Sequence, residues 1–485
     1  MRRVLLPAVL VATAFGTHGT QVVGSQSPDR ALFGEFPNRN SVSAEKGLPA
    51  TWDADTGANI LWTQPAGSQS YAGPVVAGGR VYIGTNNEGN RNPEIKGDQG
   101  VVMAFDAKTG NFVWQMATPK LPSGRVNDWP QQGVCSTPFI EGDRLYYTSN
   151  QARIVALDVA GFSNGNDGVT DETRKSPIDG DVIWSYDLMA EADVFPHNLA
   201  ASSPLVVDGV IYATTGNGVD EGHVNIPSPL APSFVAIDAK TGKLIWESAE
   251  PGTKIIHGNW SNAAYGVVKG KPQVVFGGGD GWVYGFEPKT GKLLWKFDAN
   301  PKDAVYRLGG SGTKNDIIAT PVVHDDKVYI GVGQDPEHGE GVGNFWVIDA
   351  SLTGDITDKA VVWRRGGDEF HRTISTVAIH EGIVYAADLS GFLYALDAKT
   401  GALYWKHDML AAVWASPLVA DGKIYLGDED GDVSVLAVGK TKKLIAEMNM
   451  GSAVYATPYP KDGVLYLLAR NRVFAIKEGA KSAAK

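Results

Sequence analysis

A nine-residue phrase recurs along this chain: an acidic residue, a Lys-Thr-Gly turn and, four residues after the glycine, a tryptophan. It reads DAKTGNFVW from Asp106, DAKTGKLIW from Asp238, EPKTGKLLW from Glu287 and DAKTGALYW from Asp397. A repeat of this kind predicts a fold built from similar units, because each unit can bury its apolar face only against its neighbours.

A second element precedes the tryptophan phrase. It consists of a small residue, usually a proline, a short apolar strand, a Gly or Asp turn and a second strand that usually contains a tyrosine. Its eight copies begin at Ala72, Ser136, Ser202, Ala263, Ala319, Ser375, Ala415 and Ala456. A third apolar strand follows each copy, so each unit has four consecutive strands joined by turns, as in one antiparallel blade of a β-propeller.

The two ends of the repeat array complement each other. The array starts with a fourth strand, GANILW from Gly57 to Trp62, and ends with a third strand, RVFAI from Arg472 to Ile476. The N-terminal strand can therefore complete the last unit and cover its open edge. We predict an all-β fold, an eight-bladed β-propeller of four-stranded antiparallel blades, with the last blade closed by the N-terminal strand.

The fourth-strand tryptophans predict how neighbouring blades pack. A large flat ring suits the contact between two adjacent sheets, and seven fourth strands carry one, at Trp62, Trp114, Trp184, Trp246, Trp295, Trp363 and Trp405. In KTKKLIAEM, Ala446 occupies the tryptophan position. We therefore expect the seventh blade to dock more loosely on its neighbour.

Composition favours one large β domain and excludes some partners. The 485 residues include 58 glycines and 26 prolines, which punctuate short apolar runs. Lys and Arg total 43 against 54 Asp and Glu, so the net charge of -11 provides no general attraction to nucleic acid or to an anionic membrane. We expect a monomer with no nucleic-acid partner and no integral membrane span.

The N-terminus is typical of an exported protein. Arg2 and Arg3 precede an apolar stretch too short to cross a bilayer, as in a secretory signal. The predicted organisation is a signal peptide over residues 1–19, an N-terminal extension over 20–50, the propeller over 51–478 and a disordered tail over 479–485. The single cysteine, Cys135, cannot form an internal disulfide, and no cysteine near the signal offers a lipid-attachment site. A periplasmic or secreted location follows.

The repeats resemble those of the quinoprotein-type eight-bladed propellers, which include pyrroloquinoline quinone (PQQ) dehydrogenases and noncatalytic relatives. The resemblance runs from about Trp52 to the C-terminus and implies the fold more strongly than the chemistry. Alcohol-oxidising members carry two adjacent cysteines, whereas Cys135 stands alone; the sugar-oxidising branch does not need that pair. The Ca²⁺ ligands and the catalytic aspartate of these enzymes have no matching string here, so no catalytic residue is assigned.

The segments that lead into the first strands are expected to converge on the central channel from one face. Their polar and aromatic residues form the predicted cofactor-binding or ligand-binding set: Gln69, Trp129, Gln132, His197, Asn198, His257, Trp260, Lys314, Asp316, His371, Arg372 and Trp414. Cations and tryptophans would suit a planar anionic ligand, and PQQ, a flat tricarboxylate, fits that description. The alternative is that these residues cap strand ends and hold channel water.

Histidines and acidic loops raise the question of metal binding. His197, His257 and His371 occupy equivalent positions in three blades, but their ligation of one ion would require a closer approach than an eight-bladed channel readily gives. Asp335, Glu337 and His338 are weak candidates for a divalent-ion site in a long loop. The polar insertion from Gly161 to Asp181 is either a solvated loop, which its composition favours, or a peripheral Ca²⁺ site.

The function predicted from the sequence is that of an exported binding or scaffold protein, with a protein partner or a small anionic, planar ligand at the channel mouth. One alternative is a PQQ- and Ca²⁺-dependent alcohol or sugar dehydrogenase. A second alternative, a scaffold for outer-membrane protein assembly, follows from the resemblance alone, and the missing lipid-attachment cysteine counts against a close match.

Overall fold

The computed structural model describes residues 30–89, 91–334 and 342–482, and it consists mainly of strands and turns. The N-terminal part contributes β1 (Arg30–Ala31), β2 (Val42–Ser43) and β3 (Ala58–Pro65). The strands form eight small sheets, which we number as blades 1 to 8 in chain order. The eight-bladed propeller predicted from the repeats is confirmed. No helix in these ranges is long and apolar enough to cross a membrane.

Consecutive strands pair antiparallel within each blade. Blade 1 consists of β4–β7 (Val75–Ala77, Arg80–Asn86, Gln99–Asp106, Phe112–Pro119), and blade 2 of β8–β11 (Phe139–Glu141, Arg144–Thr148, Arg153–Asp158, Asp181–Asp187). Blade 3 consists of β12–β15 (Leu205–Val207, Val210–Thr214, Phe234–Asp238, Leu244–Ser248), and blade 4 of β16–β19 (Ala264–Val268, Lys271–Gly277, Trp282–Phe286, Leu293–Asp298). Blade 5 consists of β20, β21, β22 and β24 (Val322–His324, Lys327–Val332, Asn344–Asp349, Val361–Gly366), and the short β23 (Gly354–Asp355) adds to blade 4 in parallel with β19. Blades 6 to 8 consist of β25–β28 (Ala378–His380, Ile383–Ala387, Phe392–Asp397, Leu403–Asp408), β29–β32 (Leu418–Ala420, Lys423–Gly427, Asp432–Ala437, Leu444–Asn449) and β33–β35 (Tyr459–Lys461, Val464–Ala469, Arg472–Lys481) with β3. One short helix, α1 (Leu188–Ala192), and 3-10 turns at Asn87–Gly89, Gly124–Val126, Gly161–Ser163, Gly252–Lys254 and Gly367–Glu369 lie in the connections.

The N-terminal strand closes the ring as predicted. β3 pairs antiparallel with β35, with Trp62 opposite Ala475, and blade 8 has the strand order β3-β35-β34-β33. β35 continues to Lys481, which lies opposite Ala58. Residues 479–481, which the sequence assigned to a disordered tail, are therefore part of this strand, because β3 offers them an edge to pair with.

The fourth-strand tryptophans join neighbouring blades. In six blades the indole Nε1 donates to a backbone carbonyl of the next blade's turn: Trp62 to Ala107, Trp114 to Val159, Trp184 to Ala239, Trp246 to Pro288, Trp363 to Ala398 and Trp405 to Gly439. The glycine of the Lys-Thr-Gly turn lies against the ring: a Cβ on Gly110 would come 2.6 Å from Trp62. The repeated phrase is thus one docking device, a ring on one blade and a glycine turn on the next.

The blade without a fourth-strand tryptophan obtains one from the segment that precedes β3. Trp52 is 5% exposed and packs in one apolar cluster with Val433 and Val435 of blade 7 and Leu465 of blade 8. Its indole Nε1 lies 3.0 Å from the Met450 sulfur. The structure therefore fills the gap that Ala446 was expected to leave between blades 7 and 8.

A ring of small polar side chains links the blades around the axis. The residue before each first-strand proline, or its equivalent, hydrogen-bonds to its counterpart in the next blade. The seven links are Gly73 to Thr137, Thr137 to Ser203, Ser203 to Asn262, Asn262 to Thr320, Thr320 to Thr376, Thr376 to Ser416 and Ser416 to Thr457. The crowding of eight first strands around one axis explains why small residues recur at this position.

Residues 30–43 form a segment that we call the N-terminal plug, because it crosses the inner ends of several blades. β1 pairs with β8 of blade 2, and β2 pairs in parallel with β29 of blade 7. Between them, the carbonyls of Pro37 and Asn38 accept from the backbone amides of Tyr265 and Val323, respectively. The side-chain amide of Asn40 donates to the Ile379 carbonyl and accepts from the Ile379 backbone amide. The plug thereby covers the open inner edges of first strands.

Arg39 anchors the plug. Its side chain is fully buried, and its guanidinium donates to the carbonyls of Ala263 at 2.7 Å, Ser203 at 2.9 Å and Phe33 at 2.9 Å. Burial, with a smaller effect of the positive charge of Arg30, lowers the pKa of Arg39 to about 9. One side chain therefore joins the plug to blades 3 and 4 through backbone carbonyls.

Candidate functional site

A small cavity lies on the propeller axis. We call the segments that lead into the first strands the leader segments. Each leader segment contributes to the cavity wall the residue that precedes its first small residue: Tyr71, Cys135, Ala201, Trp260, Ile318, Ile374, Trp414 and Tyr455. The polar ring described above forms a second layer of its wall, and Phe33 of the N-terminal plug also lines it. The cavity has a volume of about 150 Å³, and none of the described residues that line it is charged.

Aromatic rings occupy one side of this axial cavity. Tyr71 stacks on Tyr455 with ring centroids 5.2 Å apart, and Trp414 lies 4.9 Å from Tyr455. Burial raises the pKa of the Cys135 thiol to about 12, so this cysteine is held as an unreactive thiol near neutral pH. The cavity wall is thus apolar and aromatic, with hydroxyl groups but no ionised side chain.

The structure divides the predicted ligand set into separate groups. Only Trp260 and Trp414 line the axial cavity. Trp129 lies under the guanidinium of Arg125, 3.9 Å from the ring centroid, and its amide donates to the carbonyl of Asn198. Gln69 and Gln132 flank the axial aromatic group, where Tyr71 approaches Gln69 at 3.5 Å and Cys135 approaches the Gln132 carbonyl at 3.7 Å.

His371 and Arg372 lie in another blade. The Nδ1 atom of His371 is 3.1 Å from the buried carboxylate of Asp388, and the carbonyl of Arg372 accepts from Leu389. This pairing fixes His371 within its own blade, between the leader segment and the turn that follows β26. The equivalence of the three histidines in sequence therefore does not bring His371 to the other two.

His197 and His257 do come together, and His223 joins them. The three ring centroids are separated by 4.7, 4.8 and 4.9 Å, nearly an equilateral triangle. One potential ligand atom from each ring lies within 4.8 Å of those from the other two. We call this group the axial histidine cluster. His223 was not predicted from the sequence, because it lies in the long loop after β13 and not in a segment that leads into a first strand.

Irregular backbone holds the cluster together. The amide of His197 donates to Gly216, and the carbonyl of His257 accepts from Val219, so both histidines are tied to the segment that leads to His223. Gly218 lies between them, where a Cβ would come 2.5 Å from the Cβ of His197 and from the carbonyl oxygen of His257. Only glycine allows this close approach of three segments.

Neighbouring acceptors orient two of the rings. The Nδ1 atom of His197 lies 2.8 Å from the Val219 carbonyl, and Nδ1 of His257 lies 3.6 Å from a carboxylate oxygen of Asp316. The Nε2 atoms of all three histidines are buried. A histidine that ligates a metal through one nitrogen typically donates its other N–H to a carbonyl or a carboxylate. His197 has this arrangement, whereas the carboxylate of Asp316 faces His257 at a longer, ion-pair distance.

Trp260 connects the cluster to the axial cavity. Its indole Nε1 donates to the carbonyls of His197 and Leu199, and its ring meets that of His257 edge-on at 4.5 Å. On the other side of the cluster, Lys314 and Asp316 line a cavity of about 20 Å³ together with His223 and His257, enough for a single water molecule or ion. The weak metal candidates Asp335, Glu337 and His338 lie outside the described residues.

PQQ does not fit the axial cavity. The cavity's volume of about 150 Å³ is half of the roughly 300 Å³ at which small-molecule pockets begin. Its described lining offers no cation to pair with the three carboxylates of PQQ. The only cysteine that lines it is the single Cys135.

Known proteins place the chain in a family. The family model described as "Outer membrane protein assembly factor BamB", which represents PQQ-like repeats, matches residues 21–118, 94–170, 169–345 and 349–477. This chain belongs to that PQQ-like family. The resemblance predicted from the tryptophan phrase is confirmed.

Characterised proteins with similar sequences include both enzymes and assembly factors. The dehydrogenase subunit of the quinone alcohol dehydrogenase from Gluconobacter oxydans (strain 621H) is 30% identical over 343 residues, which are 59% of this chain and 41% of that subunit. The outer membrane protein assembly factor BamB from Moranella endobia (strain PCIT) is 23% identical over 369 residues, 72% of this chain and 76% of that protein. The chain thus spans about two fifths of the dehydrogenase subunit it matches.

Solved structures agree on the PQQ-like fold. A quinohemoprotein alcohol dehydrogenase from Pseudomonas putida HK5 superposes with a TM-score of 0.62 at 14% identity, over 94% of this chain and 81% of that one. BamB from Moraxella catarrhalis superposes with a TM-score of 0.53 at 14% identity, over 87% and 98%. At these identities the likeness concerns the fold alone.

Proposed function

We propose that this protein is an exported, noncatalytic binding propeller, and that the axial histidine cluster binds a divalent transition-metal ion. The observation that carries the proposal is the triangle of His197, His223 and His257, with their potential ligand atoms within 4.8 Å of one another. Two of the three imidazoles, those of His197 and His257, are buried, and a polar ring is costly to bury unless it gains an interaction.

The chemistry of the cluster favours a particular class of metal. Neutral imidazole is the ligand of choice for Zn²⁺, Cu²⁺ and Ni²⁺, whereas Ca²⁺ and Mg²⁺ prefer oxygen. At Zn–N distances of about 2.0–2.1 Å, tetrahedral ligand nitrogens lie about 3.3 Å apart, so rotations that move each ring by about 1 Å would bring the three into range. The carbonyl of Val219 and the carboxylate of Asp316 would orient His197 and His257.

The test is metal binding by the purified protein, measured by elemental analysis after dialysis and by titration calorimetry with Zn²⁺, Ni²⁺ and Cu²⁺. We expect one equivalent of at least one of these ions. His257→Ala should weaken binding by about 100-fold or more, because it removes a ligand. His371→Ala is the matched control: it removes a histidine that the sequence placed at the equivalent position, and it should bind like the parent protein.

Two results would contradict this proposal. One is the absence of stoichiometric binding of all three ions by the parent protein. The other is equal weakening by His371→Ala and His257→Ala, which would mean that the triangle is not the binding unit. A parallel titration with PQQ, with and without Ca²⁺, should show no quenching of tryptophan fluorescence that depends on Trp260 or Trp414, because the axial cavity that these residues line is small and its described lining is uncharged.

The comparisons favour a second candidate, a role in holding a protein partner. The alignment with BamB from Moranella endobia covers most of both proteins, 72% of this chain and 76% of that one. The alignment with the dehydrogenase subunit covers only 41% of that subunit. The BamB relatives are named as assembly factors of outer-membrane proteins, and this supports the proposal of export. Cross-linking of the tagged protein in its native host, followed by identification of the linked chains, would test for such a partner.

A further inference from the structure

The insertion in blade 2 brings acidic residues together. It follows β10 and leads into β11, and its two ends carry Asp158 and Asp181. Asp167 lies between them in the chain, and carboxylate oxygens of the three lie within 4.8 Å of one another. We call Asp158, Asp167 and Asp181 the blade 2 carboxylate cluster. It uses none of the residues of the axial histidine cluster.

A buried oxygen of Asp181 marks where an ion would be held. Asp181 is 0% exposed, and its Oδ2 accepts from the amide of Asp167 at 3.0 Å. Its Oδ1 is also buried, and among the described residues no donor reaches it. The same holds for the carbonyl oxygen of the Asn166 side chain. A buried carboxylate oxygen without a donor is costly, and a bound cation removes that cost.

The charges around Asp181 are mostly negative. Glu172 accepts from the Val182 amide and from the side-chain amide of Asn166, and so lies against the same group. Among the described residues, the only guanidinium that an ion pair joins to the cluster is that of Arg144, which lies 3.6 Å from Asp158 and is shared with Asp143 at 3.0 Å. Burial first, and then the negative charges of Glu172, Asp158 and Asp167, raise the pKa of Asp181 to about 6.

We propose that the blade 2 carboxylate cluster binds Ca²⁺. Carboxylate and side-chain amide oxygens are the ligands that hard cations prefer, and no nitrogen or sulfur ligand belongs to the group. Two of the oxygen donors, Asp167 and Asn166, lie on a loop that can adjust to the irregular coordination of Ca²⁺ at 2.3–2.6 Å. Mg²⁺ demands a closer, nearly octahedral arrangement and retains its water.

The ion would join blades 1 and 2. The far end of the insertion adds to the outer strand of blade 1: the Gln115 amide donates to Ile178, and the Gly180 amide donates to Gln115, both at 2.9 Å. Arg174 donates to the carbonyl of Ala117 at 2.7 Å. Because Asp158 and Asp181 stand at the two roots of the insertion, Ca²⁺ between them and Asp167 would fix the loop that makes these contacts.

The test compares thermal unfolding and Ca²⁺ titration calorimetry for the full-length protein, Asp181→Asn and Asp171→Asn. Asp171 is an exposed carboxylate of the same insertion that lies outside the cluster, which makes it the matched control. After treatment with EDTA, Ca²⁺ at about 100 times its dissociation constant should raise the Tm of the parent protein and of Asp171→Asn by roughly 3 °C. Asp181→Asn should lose the Ca²⁺ response, while its Tm in EDTA stays equal to or above that of the parent.

Three outcomes would overturn the proposal: no calorimetric binding of Ca²⁺ by the parent protein, an unchanged response in Asp181→Asn, or a shift with Mg²⁺ at the same concentration as large as that with Ca²⁺. If Asp181→Asn does not fold, Asp167→Asn replaces it, because Asp167 is exposed and its loss disturbs no core packing. Failure of this test would leave the axial histidine cluster unaffected, since the two groups share neither residues nor metal class.

Discussion

Replacement of Trp62 by alanine should weaken the closure of the propeller. Trp62 lies on β3, the strand that the N-terminal part contributes to blade 8, and its indole contacts the glycine turn of blade 1. It is 6% exposed, and its Nε1 donates to the Ala107 carbonyl at 2.9 Å. The substitution therefore acts on the interface at which the two ends of the array meet.

The magnitude follows from the buried area and the hydrogen bond. A tryptophan buries up to about 250 Å², which at about 25 cal/mol per Å² gives an upper bound of about 6 kcal/mol. Measured truncations of buried aromatic residues to alanine cost about 3–5 kcal/mol. The lost hydrogen bond adds little, because the Tyr466 hydroxyl also donates to the Ala107 carbonyl, at 3.3 Å, and keeps it satisfied. We expect Trp62→Ala to lower the free energy of unfolding by about 4 kcal/mol.

Urea denaturation followed by far-ultraviolet circular dichroism measures this change without relying on the fluorescence of the deleted residue. Trp62→Phe, which keeps a ring but loses the donor, should cost about 1–2 kcal/mol. Trp129→Ala is the control, since Trp129 stacks on Arg125 outside any blade-to-blade docking position and should cost about 1 kcal/mol or less. If Trp62→Ala costs no more than Trp129→Ala, the inference that this indole holds the ring closed is wrong.

Two further predictions concern a glycine turn and a buried carboxylate. Gly110→Ala should destabilise the protein by about 2 kcal/mol more than Gly79→Ala. Both glycines have a positive φ, +72° at Gly110 and +74° at Gly79, so the backbone strain of the substitution is similar. Only at Gly110 would the new Cβ meet a ring, 2.6 Å from Trp62, whereas a Cβ on Gly79 would have nothing within 4 Å. Equal losses in urea denaturation would contradict the docking role of the turn. Burial raises the pKa of Asp428 from 3.8 to about 6, so the folded state binds a proton at this carboxylate more tightly than the unfolded state does. The contribution of Asp428 to the free energy of unfolding therefore falls as the pH rises from about 4 to 6. Asp428→Asn, whose amide oxygen can still accept from the Asp432 amide, should remove up to about 3 kcal/mol of that pH dependence; a difference from the parent that stays constant between pH 4 and 7 would refute the assignment.

Much of the fold was predictable because it repeats. The tryptophan phrase fixes a fourth strand, the small-residue and proline element fixes a first strand, and their count gives eight blades. The missing partners of GANILW and RVFAI predicted the closure by β3. The N-terminal plug was not predicted, because its residues follow no periodic pattern and its hydrogen bonds, both from its backbone and from the side chains of Arg39 and Asn40, go mostly to backbone groups of distant strands.

The candidate site was predictable only in part. Equivalence between blades drew attention to the leader segments that carry His197, His257 and Trp260. It also drew attention to His371, which the structure pairs with Asp388 instead. The expected convergence of polar residues on the axis was wrong for most of the set, because the innermost position of each leader segment is the one directly before the small residue. In this chain that position is mostly apolar or aromatic.

The sequence by itself determined the architecture, since a repeated unit that can bury its apolar face only against another copy leaves a closed ring as its stable form. It also indicated the device that joins most of the blades, because the tryptophan and the glycine turn recur together; in blade 4 the Trp295 indole instead donates to Gln273 of its own blade. Tertiary structure alone decided which side chains share a site. The axial histidine cluster, the filling of the Ala446 gap by Trp52 and the meeting of Asp158, Asp167 and Asp181 all depend on loops and extensions that occur once, and a unique loop has no second copy from which its path can be inferred.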